Sequence, residues 1–145
     1  MLISGVWHAC DDGGLRPVIP ADVQAQNGSW IKAPFLVDTG ADRTVLSADI
    51  LTALRFPGTL AEDRIGGIGG VVNTVLVETR LWLSRENDGK VIFRGQYAAV
   101  TETAALDMSV LGRDVTNLFA TLVDWPQRAV YLIGQHHQYT IVQQG

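Results

Sequence analysis

Asp38 stands between two apolar runs, Phe35-Leu36-Val37 and Val45-Leu46, in the stretch PFLVDTGADRTVLS. A carboxylate so placed serves one of two ends. As a turn former or helix N-cap, its oxygens accept nearby backbone N–H groups. As a reactive group, it is held rigidly beside an apolar wall and moves protons. The next two residues bear on the choice. Gly40 allows a turn closed to residues with a Cβ and lets another group approach closely. Thr39 carries a hydroxyl that can hydrogen-bond across to a second chain segment.

Two further stretches have chemistry-bearing composition. Ile65 to Gly70, IGGIGG, holds four glycines in six residues. A glycine-rich loop cradles phosphate when a strand precedes it and a helix N-terminus follows. Here the following residues, VVNTVLVETRLWL, alternate as a strand, no Lys-Ser/Thr pair is present, and Val72 takes the place of the third glycine of a dinucleotide fingerprint. The stretch reads instead as a hairpin tip with its backbone open to hydrogen bonding, suited to closing over an extended peptide. In SVLGRDVTNLF, Gly112 permits tight packing of the strand that ends there. Arg113 is either a buried guanidinium that needs a carboxylate in bidentate geometry or a surface residue at a helix start.

Other reactive side chains point nowhere in particular. His8, His136 and His137 lack metal-ligand spacing, and adjacent histidines in a strand face opposite ways. Cys10 is the only cysteine, which rules out an intrachain disulfide and suits a reducing compartment. Trp7, Trp30, Trp82 and Trp125 are too widely spaced for a base-stacking platform and read as packing residues. No metal and no cofactor is expected.

The elements that must carry these residues are mostly strands, since the apolar pattern runs at period two or in short bursts punctuated by Gly, Asn and Asp. LISGVWHA reads as one strand. RPVIPADVQAQ and WIKAPFLVD read as two, joined at Asn27-Gly28, a dipeptide that tolerates positive φ. SADILTALRF has helical spacing for one or two turns. The glycine hairpin leads into NTVLVETRLWLSR, which turns at ENDGK into VIFRGQYAAV. SVLGRDVTNLF runs from a strand into a short helix, and ATLVDW and AVYLIG close the chain around Pro126-Gln127. The expectation is one compact β domain over residues 1–145.

Composition narrows the partners. Hydrophobic residues make up 47% and charged residues 18% of the 145, and the mean hydropathy is +0.15. That is ordinary for a globular domain, with a lean toward burial that suits an oligomer. The net charge of -4 and the lack of a dense Lys/Arg cluster argue against nucleic acid as a partner. No apolar stretch approaches the ~20 residues of a membrane span. The start, MLISGVWHAC, reads as a strand and not a signal peptide, so the expectation is no membrane and a cytoplasmic protein.

Taken in order, LVDTGADRTVL, IGGIGG and VLGRD resemble the catalytic loop, flap tip and Gly-Arg-Asn/Asp signature of the retropepsins, the retroviral-type aspartic proteases. The resemblance spans about Arg16 to Phe119. It implies an all-β, closed or partly closed barrel with a flap hairpin and one short helix on the C-terminal side, assembled as a homodimer. It also implies roles. Asp38 becomes the catalytic aspartate, Thr39 a link between two active-site loops, and Gly40 an acceptor for substrate backbone. Ile68, at the tip, holds a bridging water through its N–H. Ala41, Asp42, Arg43, Val45, Ile65, Gly66, Gly67, Ile68 and Val110 contact substrate, and Asp42 and Arg113 form a structural ion pair.

Only one D-[ST]-G occurs in the chain, whereas hydrolysis by this chemistry needs two carboxylates sharing a proton. The second Asp38 must come from a second copy, on a two-fold axis. Ala41 removes a hydroxyl donor that a Ser would offer the carboxylate, and predicts activity persisting toward neutral pH. Arg43 at the cleft edge predicts a preference for acidic side chains in a polypeptide substrate. The departures are at the ends, where a hairpin after the helix resembles the cellular retropepsin-like proteases. The alternative is a catalytically silent dimer of the same fold that binds peptide or a partner protein.

Overall fold

The computed structural model describes residues 1–57, 60–67 and 70–134. Strands dominate: β1 (Leu2–Ser4), β2 (Val6–Ala9), β3 (Leu15–Gln24), β4 (Trp30–Val37), β5 (Val45–Leu46), β6 (Glu62–Gly67), β7 (Gly70–Ser84), β8 (Lys90–Val100), β9 (Ser109–Leu111), β10 (Ala120–Asp124) and β11 (Ala129–Ile133). Two helices interrupt them, α1 (Ala48–Leu54) and the single turn α2 (Arg113–Thr116). Eight strands form one sheet in the order β2-β3-β4-β9-β5-β8-β7-β6, and an extra pairing of β3 with β7 closes it on itself. The result is an all-β barrel with β6 and the start of β7 projecting as a hairpin.

The expected strand over LISGVWHA is in fact two, and Gly5 is the reason. A Cβ there would lie 2.5 Å from the Val18 carbonyl oxygen and 2.9 Å from the Val130 side chain. The chain therefore slips between two sheets at a point only glycine can occupy. β2 joins β3 in the barrel, while β1 pairs with β11 in a separate sheet of order β1-β11-β10. The hairpin β10–β11 after α2 is thus tied to the start of the chain.

The β3–β4 hairpin turns at Ala25–Ser29 around Gly28, whose φ is +87°. Asn27 assists, its side-chain oxygen accepting from the Ser29 N–H at 3.0 Å. α1 begins after Ser47 and stops at Arg55, which adopts the left-handed conformation that ends a helix.

Two apolar clusters sit on opposite faces of the strands behind Asp38. The main core gathers Ile19, Phe35, Leu46, Val77, Leu81, Leu83, Ala99 and Leu111, among others. Most of these side chains are wholly removed from water, each contributing about 1.5–3 kcal/mol. The second cluster holds Val45, Ala48 and Val100, with Ile65, Val72, Ala105 and Leu106 packed against it. Successive residues alternate between them: Leu46 and Ala99 enter the main core, Val45 and Val100 the other. That two-sided burial explains why β5 and the end of β8 read as unbroken apolar runs.

Candidate active site

The floor of the site is built where two parallel strands end. β4 runs beside β9 with Val37 opposite Leu111, and the next residue, Asp38, donates its N–H to the Leu111 carbonyl at 3.2 Å. Asp38 then caps its own turn. Its Oδ1 accepts the Gly40 N–H at 2.9 Å, and its carbonyl accepts the Ala41 N–H at 3.2 Å. Gly40 fits because a Cβ would stand only 3.2 Å from that same Oδ1. No described residue donates to Oδ2, and Asp38 is half-buried. The turn-forming role and an accessible carboxylate oxygen therefore coexist in one residue.

A second segment locks this turn from behind. Gly112 passes so close to the Arg43 backbone that a Cβ would fall 2.3 Å from its carbonyl carbon. Its N–H donates to Thr44 Oγ1 at 3.1 Å, and that hydroxyl donates to Asp114 Oδ1 at 2.7 Å. The Thr44 N–H also reaches the Asp114 carboxylate, 3.0 Å from each oxygen. The Arg113 N–H donates to the Ala41 carbonyl at 2.8 Å. These bonds join segments far apart in sequence, and Thr44 is only 1% exposed. The sequence assigns no role to Thr44, and none to Asp114 beyond its place at the end of the VLGRD signature. The signal that sequence offers is a polar Thr inside an apolar run, together with the acid closing VLGRD.

Arg113 is not the buried cation that sequence reading allows. Its side chain is 44% exposed, and Asp42, which accepts from its Nη2, is 80% exposed. Its Nη1 also donates to the Thr39 carbonyl at 3.4 Å. The guanidinium thus clasps the outside of the Asp38 turn. The Thr39 side chain is exposed and Ala41 half-buried. Behind the floor, the Tyr97 hydroxyl donates to the Phe93 carbonyl at 3.2 Å. Burial, with the nearby Asp114 charge second, pushes this phenol up to about 12.

Opposite the floor stands the hairpin of β6 and β7, with Asp63 facing Thr74, Ile65 facing Val72 and Gly67 facing Gly70. Gly70 has φ +107°, a value that favours glycine at the tip. A Cβ on Gly66 would meet nothing within 4 Å. Ile68 lies outside the described residues. Ile65 packs toward Val45 in the second apolar cluster, and Val45 pairs with Val110. That cluster therefore joins the floor to the hairpin. Asp107 in the segment before β9 is anchored by Arg16 at 2.6 Å, which holds its carboxyl below the usual range.

Arg43 makes the one ion pair between floor and hairpin among the described residues, its Nη1 donating to Asp63 Oδ2 at 3.2 Å. Asp63 is held below the ordinary carboxylate range, first by the Arg64 N–H on its Oδ1 and then by Arg43. His136 and His137 fall outside the described residues.

Comparison with known proteins follows the same lines. A family model described as retroviral aspartyl protease matches residues 14–122. No curated protein sequence matches the chain. Among solved structures, a retropepsin-like aspartic protease from Rickettsia conorii superposes with a TM-score of 0.58 at 21% identity, covering 91% of this chain and 88% of that one. The EIAV protease complexed with the inhibitor HBY-793 gives a TM-score of 0.48 at 23% identity, covering 70% of this chain and 86% of that one.

Proposed function

Since the chain belongs to the retroviral aspartyl protease family, we propose that it is an aspartic endopeptidase that cuts extended polypeptide as a homodimer. The observation that carries this reading is the Asp38 turn. One carboxylate oxygen is fixed by the Gly40 N–H, the other has no donor among the described residues, and the turn is clamped from behind by Gly112 and Arg113. A turn-forming Asp needs no such clamp. A reacting carboxylate does, because small displacements at a reacting centre cost rate steeply.

One such carboxylate per chain calls for two chains about a two-fold axis. The ionised Asp38 takes a proton from water while the water oxygen attacks the scissile carbonyl carbon. The partner's Asp38, protonated, gives its proton to the carbonyl oxygen. Collapse of the tetrahedral intermediate then breaks the C–N bond. The first Asp38 gives the proton it took from water to the departing amine nitrogen, and the partner's Asp38 takes a proton back from a hydroxyl of the intermediate. This leaves the carboxylic acid product and restores the singly protonated pair. Two carboxylates brought together at such an axis repel one another when both are charged, which favours one proton shared between them. Thr39, exposed in the single chain, is assigned to the contact between the two turns, and the Gly40 carbonyl to substrate backbone. Gly66, Gly67 and Ile68 are assigned to covering the substrate.

The test is digestion of a proteome-derived peptide library by the wild type and by Asp38→Asn. Cleavage by the wild type that drops by about a thousand-fold or more in the variant is expected, since removing one member of a catalytic pair has effects of this order. Equal cleavage by both sinks the mechanism. Cleavage by neither, in material shown to be dimeric across a range of pH, favours a peptide-binding dimer instead.

A further inference from the structure

Arg43 is not a lone cation at the cleft edge, and the way it is paired says what it can still bind. Its Nη1 is taken by Asp63 Oδ2, while Nε and Nη2 donate to no described residue. Those two N–H groups form the side edge of the guanidinium, the edge that receives a carboxylate through two parallel hydrogen bonds. Asp63 already meets a donor at each oxygen. Its Oδ1 accepts the Arg64 N–H at 2.8 Å and its Oδ2 accepts Arg43. The guanidinium, by contrast, keeps a whole edge without an acceptor among the described residues.

The pair also has a defined address. Asp63 and Thr74 are cross-strand partners, so their side chains share one face of the hairpin, and Ile65 and Val72, two residues along, share it as well. Ile65 and Val72 pack against the cluster formed by Val45, Ala48 and Val100. The ion pair therefore stands at the end of an apolar wall that runs from the floor to the hairpin. Beside it, the buried Thr74 hydroxyl has no hydrogen-bond partner among the described residues, a second polar group at the same end of the wall. Arg43 remains 46% exposed despite its partner, so its free edge is open to a ligand.

Resting on the proteolytic reading, we propose that Asp63 is a positioning residue for Arg43. It fixes the guanidinium so that the Nε–Nη2 edge selects substrates with a carboxylate-bearing side chain at one position, next to apolar residues. The selection comes from the orientation of Arg43, and removing Asp63 weakens it even though the local positive charge rises.

The test uses matched peptides carrying Glu, Gln or Lys at each position in turn. Their cleavage by the wild type is measured, and so is their binding to the dimer of the non-cleaving Asp38→Asn variant by calorimetry. At one position Glu should be favoured over Gln by about five-fold, the size expected of a partly exposed charge pair. Asp63→Ala should reduce that ratio to about two-fold or less, in cleavage and in binding alike. The swap R43D with D63R should move the preference to Lys at the same position. An undiminished or increased Glu preference in Asp63→Ala overturns the proposal, as does a swap that still prefers Glu. If no peptide is cut yet binding follows this pattern, the pocket assignment stands and the proteolytic reading falls. If all three peptides are cut equally, the reverse holds.

Discussion

The floor and the hairpin of the candidate site are built on opposite plans. On the floor, hydrogen bonds that involve Asp38, Ala41, Thr44, Gly112, Arg113 and Asp114 cross between two distant segments within one chain. On the hairpin, β6 lies at the end of the sheet order and bonds only to β7. Its ties to the floor are apolar side chains and a single exposed ion pair. Directional bonds fix atoms to within tenths of an ångström, whereas apolar contacts tolerate sliding. On the proposed proteolytic reading, position is fixed where a proton moves, and adaptability is kept where a varied chain enters.

The contrast between the two regions is broken most completely at Gly112. Because a Cβ there meets backbone atoms of Arg43 at 2.3 and 2.4 Å, no rotamer change relieves the clash. Gly112→Ala should cost about 3 kcal/mol or more, with chemical denaturation as the measure. A Gly66→Ala control on the hairpin, where a Cβ meets nothing, should leave stability nearly unchanged. If both variants are equally stable, the floor is not clamped as described.

Asp114→Ala comes next. It leaves the buried Thr44 hydroxyl and N–H without their acceptor, a loss of about 2–4 kcal/mol for buried donors that had bonded a carboxylate. Amide exchange sharpens the point. The Thr44 and Gly112 amides should exchange much faster in the variant, while those of the β6–β7 ladder should be unmoved. Acceleration spread evenly over both regions would mean that the two are one cooperative unit.

What is legible in the sequence divides along the same line. The D-T-G turn and the glycine hairpin announce themselves because their geometry is set by residues next to one another: a carboxylate reaches an N–H two residues on, and glycines sit at a tip. The strands on either side of Asp38 are legible for the same reason. Thr44 with Asp114, and Arg43 with Asp63, are invisible locally because each pair spans a stretch whose path depends on the whole sheet. Gly5 is the plainest case. LISGVWHA has the pattern of one strand, and only the Val18 carbonyl behind it makes the break necessary. Likewise, the apolar run at the end of β8 does not reveal that its two faces serve different clusters.

The smallest effect at ordinary pH is the most specific to the floor. Tyr97 titrates at about 12 in the fold against 10.0 ordinarily, chiefly because it is buried and secondly because Asp114 is near. Folding therefore favours the neutral phenol. The contribution is fully present below pH 10 and is lost as pH rises through about 12. The loss across those two pH units is at most about 2–3 kcal/mol, reached at the alkaline limit and smaller where water screens the phenol oxygen, and none of it is felt near neutrality. Absorbance of tyrosinate during alkaline titration should show a step near 12 that Tyr97→Phe removes. In Asp114→Ala that step should move down yet stay above 10, because burial is the larger cause. A step that falls all the way to 10 would make the Asp114 charge the main cause, and the floor would then be held by electrostatics more than by enclosure.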